Sequence, residues 1–339
     1  MTATRTRVIG VAGAAVLIAV GSARVVSAQA WVPEKGGGSV SLAAQQLNVK
    51  KHLAGTTVVD AGHINTGVLL ADVTYAVTDK FAVDLAFPFV VTKYSGTRAH
   101  PNTNIDDGTY HNSFTDFRVS VRYNLTRKGA VITPYVGSVV PSHDYPYYGH
   151  AAFGEQLNEI QVGTFIAKLF TSGVPGMFVS SRIAYGFVEK VQDISHNRSL
   201  VDLEAGYFVT PSFRAFGMMN GQHSFGGIDF PLTGQAGLPA ALLPVHDVIQ
   251  RVNFVNLGGG IAYSITDSFD MFGSFLRQVD GRNGHMLNRG ITAGASWSFS
   301  RKSKGNAVAG GVPSSAEYAR ATGKREGSLG RCICQRSGT

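Results

Sequence analysis

The sequence predicts an all-β protein: an antiparallel transmembrane β-barrel of about 12 strands, preceded by a cleaved signal peptide and followed by a disordered tail. Three observations predict it. Amphipathic segments recur along the chain, and their connections alternate between tight turns and long polar loops. The third is period-two alternation, plainest over residues 116–125, where Phe117, Val119, Val121, Tyr123 and Leu125 alternate with Asp116, Arg118, Ser120, Arg122 and Asn124. A one-sided sheet in water would also alternate. Charges of both signs along the polar face fit a wet lumen better.

Residues 1–30 read as a secretory leader. Arg5 and Arg7 precede an apolar run from Val8 to Val20, and Ala28, Gln29 and Ala30 form a small-residue cleavage site. The run is shorter than the roughly 20 residues of a spanning helix, and no later stretch is long and apolar enough to be one. A chain that spans lipid without such a helix must do so as a closed sheet, because open strand edges stay unsatisfied there. Residues 31–299 are the expected barrel, and 300–339 the expected tail.

The formal charge of +8 sits at the two ends. Arg5, Arg7 and Arg24 in the leader and the Lys/Arg excess after Phe299 account for all of it, leaving a near-neutral body. That body gives no electrostatic reason to expect nucleic acid. The only two cysteines, Cys332 and Cys334, lie in the tail, so a disulfide framework is excluded.

In order, the expected strands are residues 38–49, 67–78, 80–94, 114–126, 130–141, 157–171, 177–189, 199–210, 213–223, 250–266, 269–279 and 289–299. Tight turns fall at Thr78-Asp79-Lys80, at 126–129, at 172–176, at Thr210-Pro211-Ser212 and at Thr266-Asp267-Ser268. Each supplies a turn chemistry: Pro-fixed φ, Gly freedom or hydroxyl and carboxylate self-capping. All five lie on one side. The opposite side carries long polar connections such as 95–113 and 224–247. On an outer-membrane barrel the long side is extracellular, and an even strand number puts both termini in the periplasm. The triplet Gly258-Gly259-Gly260 lacks the following helix and Lys of a phosphate loop and reads as a barrel bend.

Parity assigns Leu69, Val73, Tyr75, Val83, Phe87, Val119, Val121, Leu203 and Tyr207 to lipid. Tyr75, Tyr123, Tyr207 and Tyr263 form an expected interfacial girdle near the tight turns. Asp72, Asp84, Asp116, Arg118, Arg122, Glu159, Gln161, Arg182, Asp202, Glu204 and Arg214 are assigned to the lumen. Pairing across the lumen would hold the barrel's shape; the functional alternative is a polar pathway selecting solute by size and field. On this reading Val121→Arg should cost roughly 2–4 kcal/mol if Val121 lies near the bilayer midplane.

Residues 114–123 (Phe-Thr-Asp-Phe-Arg-Val-Ser-Val-Arg-Tyr), the segment from Pro134 to Ser142 and the start Trp31-Val32-Pro33-Glu34-Lys35 resemble the outer-membrane family of phenol meta-degradation (MetA-pathway) proteins. The last expected strand, closing on Trp297-Ser298-Phe299, resembles the C-terminal assembly signal of outer-membrane barrels, although forty residues follow it here. The family resemblance implies a transporter-type barrel proposed to pass hydrophobic or aromatic small molecules. It carries no catalytic residue and no cofactor. The partners expected are outer-membrane lipid, the barrel assembly machinery and a small-molecule solute.

Catalytic chemistry is sparse. His111-Asn112-Ser113 is the one His-x-Ser, with both side chains expected on the lipid face of Phe117, as a barrel lipid hydrolase would need. No accompanying motif orients the His. All ten histidines fall in or beside long loops; with nearby Asp60, Asp106, Asp107 and Asp144 they offer Zn or Cu donors, but no ligand spacing marks a metal site. A third reading is a structural barrel whose loops bind a metal or partner. The solute entrance is assigned to the loop carrying His143, Asp144, Tyr145, Tyr147, Tyr148, His150 and Phe153, because aromatics beside a few polar groups commonly line small-molecule sites.

Overall fold

The computed structural model describes residues 30–127 and 129–300. Residues 1–29 of the expected leader (1–30) and 301–339 of the expected tail (300–339) lie outside the described residues. The strands are β1 (Gly38–Ala54), β2 (Thr57–Val59), β3 (His63–Ala76), β4 (Phe81–Ser95), β5 (His111–Phe114), β6 (Asp116–Tyr123) and β7 (Val131–Pro141). They continue as β8 (Glu159–Leu169), β9 (Met177–Val188), β10 (His196–Phe208), β11 (Phe213–Gly226), β12 (Asn253–Thr266), β13 (Phe269–Arg282) and β14 (Gly284–Phe299). Of these fourteen, β2 is a short arm on the end of β1, and β5 and β6 both pair with β4 as two pieces of one stave. Twelve staves remain. Each is antiparallel to its neighbours, and β1 pairs with β14 from Gly38↔Phe299 to Leu53↔Gly284, so the sheet closes with no free edge.

The tight turns stand where the sequence expects them. Thr78 Oγ1 accepts from the Phe81 amide at 3.0 Å, and Thr210 Oγ1 does the same for Phe213 at 3.0 Å. On the long-loop side the last connection is tight as well. Asn283 (φ 54°) and Gly284 (φ 74°) reverse the chain between β13 and β14, which run several residues further than expected, although the two strands pair with each other only as far as Leu276↔Gly290. Two consecutive positive φ values match the twist of a hairpin, which is why Asn-Gly is favoured there.

A second correction concerns residues 111–117. Phe89 pairs with Phe114 but Ala86 pairs with Arg118, which leaves one extra residue opposite β4. The bulge falls at Thr115, whose amide donates to Pro88 O at 3.2 Å. It reverses parity, so Phe114 and Phe117 both face outward. His111 and Ser113, cross-strand from Thr92 and Val90, turn inward instead of sharing the lipid face. Two aromatics three residues apart on one face of a strand require such a bulge.

The outer surface is apolar. Leu69, Val77, Val119, Leu203, Ile261 and Ile291 are among its exposed side chains. Tyr75, Tyr123, Tyr207 and Tyr263 are each 44–52% exposed at the short-turn end, as is Trp297, which pairs with Phe269 beside the turn 266–268, an arrangement matching the expected girdle.

Candidate functional site in the lumen

All eleven polar residues assigned to the lumen lie on the inner face by register or burial. Several are joined in pairs. Arg122 Nε is 3.0 Å from Asp84 Oδ2, and Asp84 also accepts from Thr74 Oγ1 at 2.6 Å and Ser120 Oγ at 3.3 Å. Arg182 Nε donates to Asp202 Oδ2 at 2.6 Å. Arg198 bridges Glu155 and Glu159, with Nη2 2.6 Å from Glu155 Oε2 and Nε 3.0 Å from Glu159 Oε2. The Arg122–Asp84 and Arg182–Asp202 pairs join neighbouring staves and Arg198 on β10 reaches past β9 to Glu159 on β8, so the pairs brace the wall while each buried carboxylate keeps a cation in place of water.

Between them lies a cavity of about 780 Å³. Asp116, Arg118, Glu159, Gln161, Arg182 and Asp202 line it, together with the apolar Phe153, Leu200 and Phe254. A second cavity of about 390 Å³ shares Arg118, Val139, Gln161 and Arg182 with it and descends to Asp84, Tyr135 and Phe165. Asp72, Arg122, Glu204 and Arg214 stand elsewhere on the inner face.

The loop 142–158 folds inward over the larger cavity, and its seven candidate residues divide. Phe153 lines the cavity with Gly154 and Glu155. Tyr145 is buried and donates its hydroxyl to Asp116, while the Gln156 amide donates to the Tyr145 oxygen at 2.8 Å. Burial first, and then the Asp116 carboxylate, raise the Tyr145 phenol well above its ordinary value, so it stays a donor. His150 is buried against Tyr94 in a stack with centroids 4.3 Å apart. Tyr147 packs on the apolar clusters beneath the loops, and Tyr148 meets His100 and His246 edge-on. His143 and Asp144 are exposed, and Gln156 Nε2 donates to Asp144 Oδ1 at 2.6 Å.

Two aspartates tie this loop to its neighbours. Asp106, buried in the loop 96–110, accepts the amides of His100, His150 and Ala151 at 2.9–3.0 Å. Burial by itself would raise that carboxyl; the hydrogen bonds from the His100 ring and from the amides outweigh it and hold the group below the usual carboxylate range. Asp247, from the loop 227–252, accepts the Gly149 amide at 3.2 Å.

Residues 30–33 enter the lumen at the opposite mouth. Thr133 Oγ1 donates to Ala30 O at 2.6 Å, Arg122 Nη1 to Trp31 O at 3.4 Å and Arg127 Nη2 to Val32 O at 3.3 Å. Ala30 packs among Tyr135, Phe165 and Leu200. Both mouths are therefore narrowed by chain. Sequence reasoning missed this segment, as well as Glu155 and Arg198, because polar side chains in loops and at strand ends carry no parity signal.

Gly154 seats the inward loop on the bulge. A Cβ there would lie 2.3 Å from Thr115 Oγ1 and 2.7 Å from the Tyr145 hydroxyl. Gly154→Val should therefore lift the loop from the wall and raise protease cleavage within 142–158 several-fold while the β-sheet circular dichroism stays unchanged. Unaltered cleavage would show that the loop is held elsewhere.

No family model matches the chain, and no curated protein matches it either. Among solved structures, an outer-membrane channel from Pseudomonas putida F1 superposes with a TM-score of 0.61 at 13% identity, over 80% of this chain and 98% of that one. The β-domain of the Bordetella autotransporter BrkA gives 0.46 at 10% identity, covering 78% of this chain and all of that one. The NanC porin gives 0.44 at 8% identity, covering 76% and 98%. Only the first likeness is close enough to argue from, and at its identity it establishes the fold: this chain is a closed barrel of twelve antiparallel staves, of the kind found in outer membranes.

Proposed function

We propose that the chain is a bacterial outer-membrane channel, with both termini periplasmic, that passes small solutes, aromatic ones among them. The lumen cavity carries this reading, because polar and apolar side chains converge on one space inside the barrel, as they do in small-molecule sites. Its lining sets Phe153, Leu200 and Phe254 beside Arg118 and Arg182, a combination suited to an aromatic ring bearing an anionic or hydroxyl group. The Pseudomonas putida protein of the same fold is described as an outer-membrane channel, which supports the assignment. The meta-degradation resemblance supports the aromatic preference.

Planar-bilayer recording of the purified protein tests the channel, and uptake of benzoate into proteoliposomes tests the solute class. Discrete conductance steps and benzoate uptake reduced by Phe153→Ala are the expected results. Tyr147→Ala with Tyr148→Ala should matter less, since those rings pack on neighbouring loops. A silent bilayer with folded protein would end the channel reading.

A lipid hydrolase is the competing reading, because Ser113 Oγ lies 3.2 Å from His143 Nε2. The chemistry of the pair argues against it. Ser113 Oγ donates to Phe114 O at 2.8 Å, and His143 Nδ1 meets the Ser142 hydroxyl at 2.8 Å, not a carboxylate. His111, the partner expected from sequence, meets Asp107 Oδ1 at 2.9 Å instead. Phospholipid hydrolysis lost in Ser113→Ala would revive the enzyme.

A further inference from the structure

Five histidines from five separate stretches of chain converge beneath the long loops: His52 on β1, His100, His150 and His246 on three different loops, and His285 on β14. All are buried. Their ring centroids are 4.2 Å apart for His52 and His285, 5.1 Å for His52 and His150, 5.8 Å for His150 and His285 and 4.4 Å for His100 and His150. Proteins rarely bury imidazoles together without giving their nitrogens work to do, since each ring carries a donor and a lone pair that must find partners.

The cluster has two halves with different chemistry. His100 and His246 are engaged with carboxylates: His100 Nδ1 is 3.1 Å from Asp106 Oδ2, and His246 Nε2 is 2.9 Å from Asp247 Oδ1 while its Nδ1 is 2.6 Å from Leu243 O. Asp106 is already saturated by three amides. His150 and His285, in the other half, are held differently. Neither ring nitrogen of His285 has a hydrogen-bond partner. His150 Nε2 donates to Arg98 O at 2.9 Å, which fixes the tautomer and leaves Nδ1, also unpartnered, as a lone-pair donor. That is the arrangement of a metal-ligating imidazole, whose second nitrogen is held by a backbone carbonyl. His52 stands directly across the β1–β14 seam from His285 in register. One donor atom from each of His52, His150 and His285 lies within 4.8 Å of the others.

We propose that His52, His150 and His285 bind a divalent transition-metal ion of the zinc class. Zn–N bonds of about 2.0–2.1 Å would set tetrahedral donors about 3.3–3.4 Å apart, a distance small rotations of the three side chains can reach. Neutral imidazoles suit zinc, copper and nickel and disfavour magnesium and calcium, which take oxygen donors. A fourth position remains for water. The ion would join both strands of the closing seam to the inward loop, so it would act as a staple between wall and roof. The site is independent of what passes through the lumen.

The test uses the full mature chain without an affinity tag, folded in detergent and stripped by a chelator. Zinc is titrated against a competing chromophore, and cobalt is added separately for its visible absorption. We expect one equivalent of zinc at sub-micromolar affinity, intense tetrahedral cobalt bands, and loss of about 100-fold in affinity in His52→Ala and His285→Ala. His223→Ala, on β11 away from the cluster, should bind as the parent does. Zinc should also slow protease cleavage within 142–158 several-fold. If a seam variant fails to fold, His150→Ala, on the loop, serves in its place. Zinc binding that survives His150→Ala with unchanged affinity, or a folded parent that takes up no zinc and shows no cobalt bands, overturns the proposal.

Discussion

Arg198→Met is expected to destabilise the folded protein by about 3–5 kcal/mol, the range for removing one partner of a buried ionic cluster. The Arg198 side chain is 9% exposed, and its two partners Glu155 and Glu159 are 9% and 3% exposed. Without the guanidinium, two carboxylates would face each other in the lumen, with the neutral Gln161 Nε2, 2.9 Å from Glu159, a much weaker counterpart. Because Glu155 belongs to the inward loop and Glu159 opens β8, the relief is release of the loop. Equilibrium unfolding in detergent should therefore show the loss in stability, and bilayer recordings a rise in conductance. Adding Glu155→Leu and Glu159→Leu to Arg198→Met should recover much of the stability, since well-packed apolar residues often replace a buried triad at little cost. It should not recover the closed loop. A single variant as stable and as narrow as the parent would mean the triad neither braces the wall nor holds the roof.

Val119→Arg should cost about 2–4 kcal/mol, the value for a cation on the lipid face near the bilayer midplane. Sequence parity puts Val121 on the same face, and the structure agrees: Val119 is 42% and Val121 38% exposed. Depth separates them. Val121 lies two residues from the girdle at Tyr123, about 7 Å along the strand, whereas Val119 lies about 13 Å from it. In a lipid-facing band about 25 Å tall, the second distance reaches the centre. Val121→Arg should therefore cost less than Val119→Arg. Substitution of Ser120, which faces inward and donates to Asp84 at 3.3 Å, should cost only about 0.5–1.5 kcal/mol, the net worth of one hydrogen bond. Equal penalties at all three positions in a reversible unfolding series would overturn the face assignment.

Much of the architecture was legible before any coordinates. Alternation at residues 116–125 set the two faces of β6, and turn residues such as Thr78 and Pro211 set the short side. Both signals are local: a pleated strand has period two, and a tight turn is decided by a few backbone angles. The Asn283-Gly284 turn and the Thr115 bulge were equally local. The bulge leaves little trace in the sequence, because one inserted residue reverses parity without altering composition.

The site was less legible because its parts are distant in sequence. Parity alone placed Asp84 and Arg122 on the inner face, but only registration of β4 against β6 made them a pair. Glu155 meets Arg198 because the loop 142–158 folds inward, and nothing in the spacing of its tyrosines says which ring faces the cavity. Phe153 does; Tyr147 and Tyr148 do not. Likewise His52 and His285 become neighbours only when β1 meets β14 and the barrel closes. The sequence by itself determined strand faces, turn side and the polarity of the lumen, since these follow from neighbours in the chain. Tertiary structure alone decided which charges pair, which loop roofs the cavity and where the imidazoles gather, because closure and loop docking join residues whose separation along the chain carries no signal.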